Sequence, residues 1–535
     1  MNLTEYLFHR LRELGVGHTF GIPGDFVLPV YAVQHALGFP TVVCCHEPGV
    51  GFAADAYARL RGLGVALVTY GPGALNMLNP VACAYAEQSP LLIVSGGPEM
   101  AFRRGDHEIH LHHVVKTYES QLQIFREVTV DAAILDDPAS APETIDRVLR
   151  NVVERKRPGY LEIPRDRVQA PVAEPRGRLA LEPDGEMDEG QAGALDEVVA
   201  EIGAMLASAE RPALYVGAGI RRHDLTEPVI RLAERLRLPV ATDVLGKASF
   251  PETHPQFAGV YMAALGDSGV RELLDRSDCV LGIGVVLTDL GTGFWTQRIN
   301  PRSRILIDPD GVRVRFHRYD GLPIRQVVGA LLDRLPASDR PLPAFVNIRN
   351  PDQSPVRDET ARAETAMAPL RVADVGDGWF IGLELRTEVF LAPGYYGTMG
   401  FAVPGALGAG MADRARRPFA LVGDGAFQMT GLELATMVDQ RLRPIVLLLN
   451  NGGYGMLEAI DGPCTYFERR NWEFPELARA LGASAERVTT AAELSQALHR
   501  AQSCTGAYLI EAVTARDDLS PVMARIRAQA QQARA

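Results

Sequence analysis

The chain reads as short apolar runs set between amphipathic stretches. TVVCC, GVALVTY and PLLIVSGG near the start are apolar almost throughout, as are PALYVGAG, LPVATDV, CVLGIGVV and RILID in the middle and PFALVGDG and RPIVLLLNN near the end. Runs of this kind, without polar alternation, predict strands buried on both faces; helices between them predict parallel sheets covered on each side. The opening MNLTEYLFHRLRELG carries Leu3, Leu7, Leu11 and Leu14 at helical spacing, which predicts an amphipathic surface helix. Two polar stretches, residues 170–191 and 337–369, break the pattern and read as linkers. They leave segments 1–170, 190–336 and 370–535, so the expected architecture is α/β, with three doubly wound parallel-sheet domains.

Composition narrows the classes of function. The chain has 535 residues, 47% hydrophobic and 22% charged, as expected of a globular protein with large cores. A net charge of −12 argues against nucleic acid or an anionic membrane as partner, because both call for a basic surface. The six cysteines form no CxxC pair and mostly sit in apolar runs, which reads as buried thiols in a reducing compartment. No apolar run reaches the roughly 18 residues of a membrane span. The first helix is charged throughout, unlike a signal peptide. The expected location is cytoplasmic.

The strongest chemical signal lies in the last segment. A strand over 419–422 runs into Gly423-Asp424-Gly425, a helix is expected over 431–441, and the next strand, 444–449, ends in Asn450-Asn451-Gly452-Gly453. This is one βαβ unit with parallel strands. If the two strands are neighbours, Asp424 and Asn451 lie side by side at their carboxyl ends, where open α/β sheets bind ligands. A carboxylate and a carboxamide oxygen suit Mg²⁺, which completes its shell with phosphate and water. The glycines let the backbone approach a phosphate, and N–H groups opening a helix can hold it.

GDGAFQMTGLELATMVDQRLRPIVLLLNN resembles the thiamine-diphosphate-binding motif, which begins with GDG and ends with NN. The resemblance extends along essentially the full length, through GIPGDF, HEPGVGFAADAYAR, VTYGPGALN, LHH, YLEIPRD and GFAVPGALGA, to the thiamine-diphosphate-dependent 2-oxo acid decarboxylases. It implies that Asp424, Asn451 and the Gly453 carbonyl hold Mg²⁺, and that N–H groups near Gly425 and Ala426 hold the diphosphate. It also implies Met399 as the apolar wedge beneath the cofactor and the Gly397 carbonyl as partner of its amino group. The cofactor works by losing a thiazolium proton, which requires a carboxyl group against its pyrimidine ring. Glu47, just past TVVCC, matches the family's glutamate. Decarboxylation then yields CO₂ and an aldehyde through an ylide and an enamine.

Asp25 in GIPGDF and the adjacent His112-His113 mark the kind of reaction. Imidazoles titrate near neutrality and can move the protons that aldehyde release requires. The three residues resemble the pyruvate/indolepyruvate/phenylpyruvate decarboxylase branch, closest to the phenylpyruvate type. His107 and His110 lie nearby, but the cluster lacks metal-ligand spacing. That branch commonly carries a Glu six residues past the second Asn of NN. Leu457 stands there, with Glu458 one place later, about 100° around a helix. With Phe401 and Met399, Leu457 predicts an apolar substrate pocket for an aryl or bulky aliphatic 2-oxo acid. Two alternatives stand beside this reading: an acetolactate-synthase-like carboligase, with FAD in the middle domain, and a thiamine-diphosphate binder without turnover. YVGAG in the middle segment is a weak dinucleotide signal, and that domain is expected to be empty. The resemblance implies a homodimer at minimum, with a tetramer expected.

Overall fold

The computed structural model describes residues 1–104, 110–181, 187–342 and 369–534. His107 and parts of both expected linkers, 182–186 and 343–368, lie outside the described residues. The first helix, Leu3–Glu13, buries Leu3, Leu7 and Leu11 and is closed by a capping box between Asn2 and Glu5.

The first sheet has six strands: β1 (Thr19–Gly21), β2 (Thr41–Val43), β3 (Gly64–Val68), β4 (Leu91–Gly97), β5 (Asp131–Ile134) and β6 (Gly159–Pro164). Their order is β2-β1-β3-β4-β6-β5, parallel throughout. The chain passes from β1 outward to β2 and then back across to β3, so the strand order reverses at β1. A crevice opens at such a point, at the carboxyl ends of the strands.

The middle sheet comprises β7 (Pro212–Val216), β8 (Val240–Thr242), β9 (Phe257–Val260), β10 (Cys279–Ile283), β11 (Arg304–Asp308), β12 (Gly311–Val314) and β13 (His317–Asp320). Its order is β13-β12-β11-β10-β7-β8-β9. Here the expectation of a wholly parallel sheet needs correction, because β12 and β13 run antiparallel at one edge. Only Pro309 and Asp310 separate β11 from β12. A crossover to a parallel neighbour needs a dozen or more residues, so a two-residue link can only make a hairpin.

The third sheet comprises β14 (Leu370–Ala373), β15 (Phe390–Leu391), β16 (Pro418–Gly423), β17 (Ile445–Asn450), β18 (Ser484–Val488) and β19 (Tyr508–Val513), all parallel, in the order β15-β14-β16-β17-β19-β18.

The first and third domains share one apolar core. It is centred on two helices, Glu47–Arg61 and Ala402–Ala412, rich in alanine and glycine. Their backbones approach so closely that a Cβ on Gly408 would overlap the Ala53 carbonyl. Arg59 lies within this junction, paired with Asp55 at 2.6 Å.

Candidate functional site

The carboxyl ends of β2, β1 and β3 release Glu47, Asp25 and Thr69 in that spatial order. Asp25 Oδ2 and His112 Nε2 are 2.6 Å apart, and the Thr69 hydroxyl donates to Asp25 Oδ1 at 3.2 Å. His113 stands perpendicular to His112, with ring centroids 4.5 Å apart, and its Nδ1 lies 3.1 Å from the Tyr70 carbonyl. A carbonyl only accepts, so this contact places a proton on Nδ1 and leaves Nε2 of neutral His113 free to take one. Ligand atoms of Asp25, His112 and His113 all lie within 4.8 Å of one another. Burial disfavours ionised Asp25, but the hydrogen bonds from His112, the Phe26 N–H and Thr69, with the charge of His113, outweigh it and hold the carboxyl below its ordinary value. Asp25 and His112 keep 44% and 58% of their side-chain surface exposed.

Close packing fixes this corner. Gly71 has φ +72° and no room for a side chain, since a Cβ would fall 2.6 Å from His113 Cβ. Its N–H donates to Gln121 Oε1 at 2.7 Å. Gln121 in turn donates to Ser95 and to Tyr160, both buried. Glu47 opens its helix beside Asp25, and its Oε2 accepts from Asn76 Nδ2 at 2.9 Å.

The second group of residues sits on the third domain. β16 and β17 are neighbours in register, Gly423 opposite Leu449, so Asp424 and Asn451 emerge side by side as the motif predicted. The helix after GDG begins at Asp424 itself, over Asp424–Thr430, and the helix expected over 431–441 is shorter, Glu433–Asp439. The Gly453 N–H donates to Asn451 Oδ1 at 3.2 Å and also faces the Asp424 carboxyl. Burial pushes Asp424 up to about 6, against the pull of the N–H groups of Gly425, Asp424 and Gly453 and the charge of Arg469. Among the described residues, its buried Oδ2 has no hydrogen-bond partner. A buried carboxylate oxygen left this way is costly unless a cation or donor meets it. The donor set therefore fits Mg²⁺, a hard ion that takes oxygen ligands and shares them with phosphate.

The strip between the domains carries the remaining residues. Gly397, exposed at φ +71°, and half-buried Met399 precede the helix Ala402–Ala412. A Cβ on Gly425 would come 2.6 Å from Tyr454 and 3.6 Å from Met399 Cε, so Met399 reaches the GDG turn. Ala426 is buried in the same short helix. Phe401 departs from its expected place in the substrate pocket. Its ring is fully buried, 5.7 Å from Phe52 and 5.1 Å from the Arg59 guanidinium, at the helix junction. Leu457 is 47% exposed on the helix Gly455–Asp461. Glu458, one residue on, pairs instead with Arg516 at 3.7 Å.

Three residues organise these positions, none of them given a role by the sequence. Asp374, wholly buried past β14, accepts the N–H groups of Gly400 at 3.0 Å and Ala402 at 2.8 Å and so fixes the Met399 loop. Asn450, the first of the NN pair, donates to buried Glu511 at 2.6 Å and accepts from the Gly452 N–H at 3.1 Å, setting the turn that presents Asn451. The NN pair itself was the available signal for Asn450, whereas the long-range partners of Asp374 and Glu511 left none.

Thiamine pyrophosphate enzyme models match all three domains: the N-terminal thiamine-pyrophosphate-binding domain over residues 1–122, the central domain over 199–335 and the C-terminal binding domain over 379–512. The chain is therefore a thiamine-diphosphate enzyme. It is 38% identical over 541 residues to indole-3-pyruvate decarboxylase of Azospirillum brasilense, covering 98% of this chain and 97% of that protein. It is 32% identical to an alpha-keto-acid decarboxylase of Mycolicibacterium paratuberculosis over 515 residues, 92% of this chain and 90% of that one. With pyruvate decarboxylase isozyme 2 of Saccharomyces cerevisiae it shares 29% identity over 526 residues, 92% of this chain and 91% of the yeast enzyme. The chain belongs to the thiamine-diphosphate-dependent 2-oxo acid decarboxylases. No described helix is long and apolar enough to cross a membrane.

Proposed function

We propose that this decarboxylase acts on an aryl or bulky aliphatic 2-oxo acid and releases the aldehyde and CO₂ from a site built by both groups of residues described above. The observation that carries the reading is the 2.6 Å pairing of Asp25 with His112, with His113 held on the Tyr70 carbonyl, beside Glu47 at the strand ends. Bound thiamine diphosphate supplies the electron sink for cleaving the bond to the substrate carboxylate. Asp424 Oδ2, the Asn451 carboxamide oxygen and the Gly453 carbonyl would hold Mg²⁺, and N–H groups at Gly425 and Ala426 would hold the diphosphate. Gly397 and Met399 would line the cofactor between the domains. Glu47 would offer a carboxyl group to its pyrimidine ring. His112 and His113, oriented by Asp25 and Tyr70, receive the substrate's negative charge and exchange protons with the departing aldehyde.

The pocket reading rests on Leu457, an exposed apolar side chain, while Glu458 is engaged by Arg516. The similarity to an indolepyruvate decarboxylase supports a bulky substrate. Half-exposed Asp25 and His112 need shelter from water for efficient proton transfer, and a second copy of the chain supplies it. The assembly is thus a homodimer at least, with two dimers forming a tetramer, in the cytoplasm. Domain limits follow the linkers, near 1–170, 190–336 and 370–535.

Aldehyde formation from phenylpyruvate, indolepyruvate, 2-oxoisocaproate and pyruvate, with and without thiamine diphosphate and Mg²⁺, tests this. Cofactor-dependent turnover, faster with the bulky acids, is expected. Pyruvate as the best substrate would overturn the pocket reading, and acetolactate as the product would favour the carboligase.

A further inference from the structure

We propose that Glu433 of the third domain is a positioning residue for Glu47 of the first. The proposal rests on the role given to Glu47 above. After β2 ends at Val43, Cys44, Cys45 and His46 lead the chain into the helix that Glu47 opens. The Cys45 and His46 N–H groups converge on one atom, Glu433 Oε1, at 3.0 and 3.3 Å. Glu433 Oε2 accepts the Thr436 hydroxyl at 2.7 Å, which fixes the carboxylate's orientation. The residue is only 1% exposed. The fit is close enough that a Cβ on Gly49, in the first turn after Glu47, would overlap the carboxylate.

The grip lies just outside the helix, on the N–H groups of its N-cap residue and of the residue before that. His46, its N-cap residue, makes no side-chain capping hydrogen bond, so the entry turn depends on an outside partner. Glu47 is then held from two sides, its carboxylate by Asn76 and the two backbone N–H groups that precede it by Glu433. Glu433 itself begins the helix that follows Asp424–Thr430, with only Gly431 and Leu432 between. A single buried carboxylate, just past the Asp424–Thr430 helix and the Gly431-Leu432 link, therefore holds the approach to Glu47 of the same chain. A displacement of about 1 Å at such an acid is enough to cost on the order of 100-fold in rate.

The test is the rate of deuterium exchange at thiazolium C2 of the cofactor bound to the holoenzyme without substrate, read by proton NMR after acid quench. Glu433→Ala is expected to slow exchange on the order of 10- to 100-fold while retaining bound cofactor. Glu433→Gln keeps an oxygen for both N–H groups and is expected within about fivefold of wild type. A wild-type rate in Glu433→Ala, or a Glu433→Gln as slow as the alanine variant, overturns the proposal. If Glu433→Ala does not fold, Thr436→Val decides: freeing Oε2 should slow exchange severalfold, and an unchanged rate overturns it. Glu47→Gln serves as reference. If it exchanges normally, the reading of Glu47 fails; if it is slow while Glu433→Ala is fast, only the positioning role fails.

Discussion

The environments of a few side chains set what each can do. Asp25 is held charged by three donors, so it can orient His112. Asp25→Asn removes that charge with little change in shape. It should lower kcat/KM on the order of 10²–10⁴-fold in steady-state kinetics, with the melting temperature little altered because the site is open. Asp424 behaves in the opposite sense. Burial raises it to about 6, so the folded chain favours its protonated form. That preference stabilises the fold fully below the ordinary carboxyl value and is lost as pH rises through about 6. Above that, the metal-free chain carries an ionised buried carboxylate, a cost that a bound Mg²⁺ would offset. Thermal melts with thiamine diphosphate, with Mg²⁺ or with chelator, should therefore show greater Mg²⁺ stabilisation near about pH 8 than near about pH 5.5. Equal shifts would contradict a metal role for Asp424. Residues whose type is itself the signal, such as Asp424, Asn451, Glu47 and the histidine pair, could be singled out as candidates from the sequence, and the structure places them at strand ends or in one cluster. Asp374 and Glu433 were not, because their roles exist only through N–H groups of segments distant in the chain. Phe401 was misjudged for a related reason: an apolar residue beside a cofactor loop can face either the pocket or the core, and periodicity does not say which.

At the scale of elements, the apolar runs identified the buried parallel strands because those strands have no solvent face to impose alternation. Shorter or more polar strands were harder to see, β18 (SAERV) and β13 (HRYD) among them, since pairing in the sheet rather than composition makes them strands. The hairpin at the edge of the middle sheet follows from the two-residue Pro309-Asp310 link, a local feature that the regular run of apolar strands does not carry. The junction of the helices Glu47–Arg61 and Ala402–Ala412 packs the first domain against the third, and it depends on small residues. Gly→Ala within a helix ordinarily gains about 1 kcal/mol. At Gly408 the added methyl would meet the Ala53 carbonyl, and overpacking costs about 1–3 kcal/mol. Gly408→Ala should therefore lower the urea midpoint, despite its better helix propensity. A raised midpoint would show that the helices have room to spare.

For the whole molecule, the three domains place two half-sites on different sheets. Among the described residues, no hydrogen bond or ion pair joins Asp25, Glu47, His112 or His113 to Asp424 or Asn451. If each complete site takes its acid–base edge from one chain and its metal edge from another, two differently disabled chains can repair one another. The most direct test mixes Glu47→Gln and Asp424→Ala chains, each nearly inactive alone, under conditions that let subunits exchange, and measures aldehyde production. Random pairing leaves half the dimers hybrid with one intact site each, so recovery of about a quarter of wild-type activity is expected. A mixture as inactive as its components, with subunit exchange verified, would contradict a decarboxylase site shared between chains.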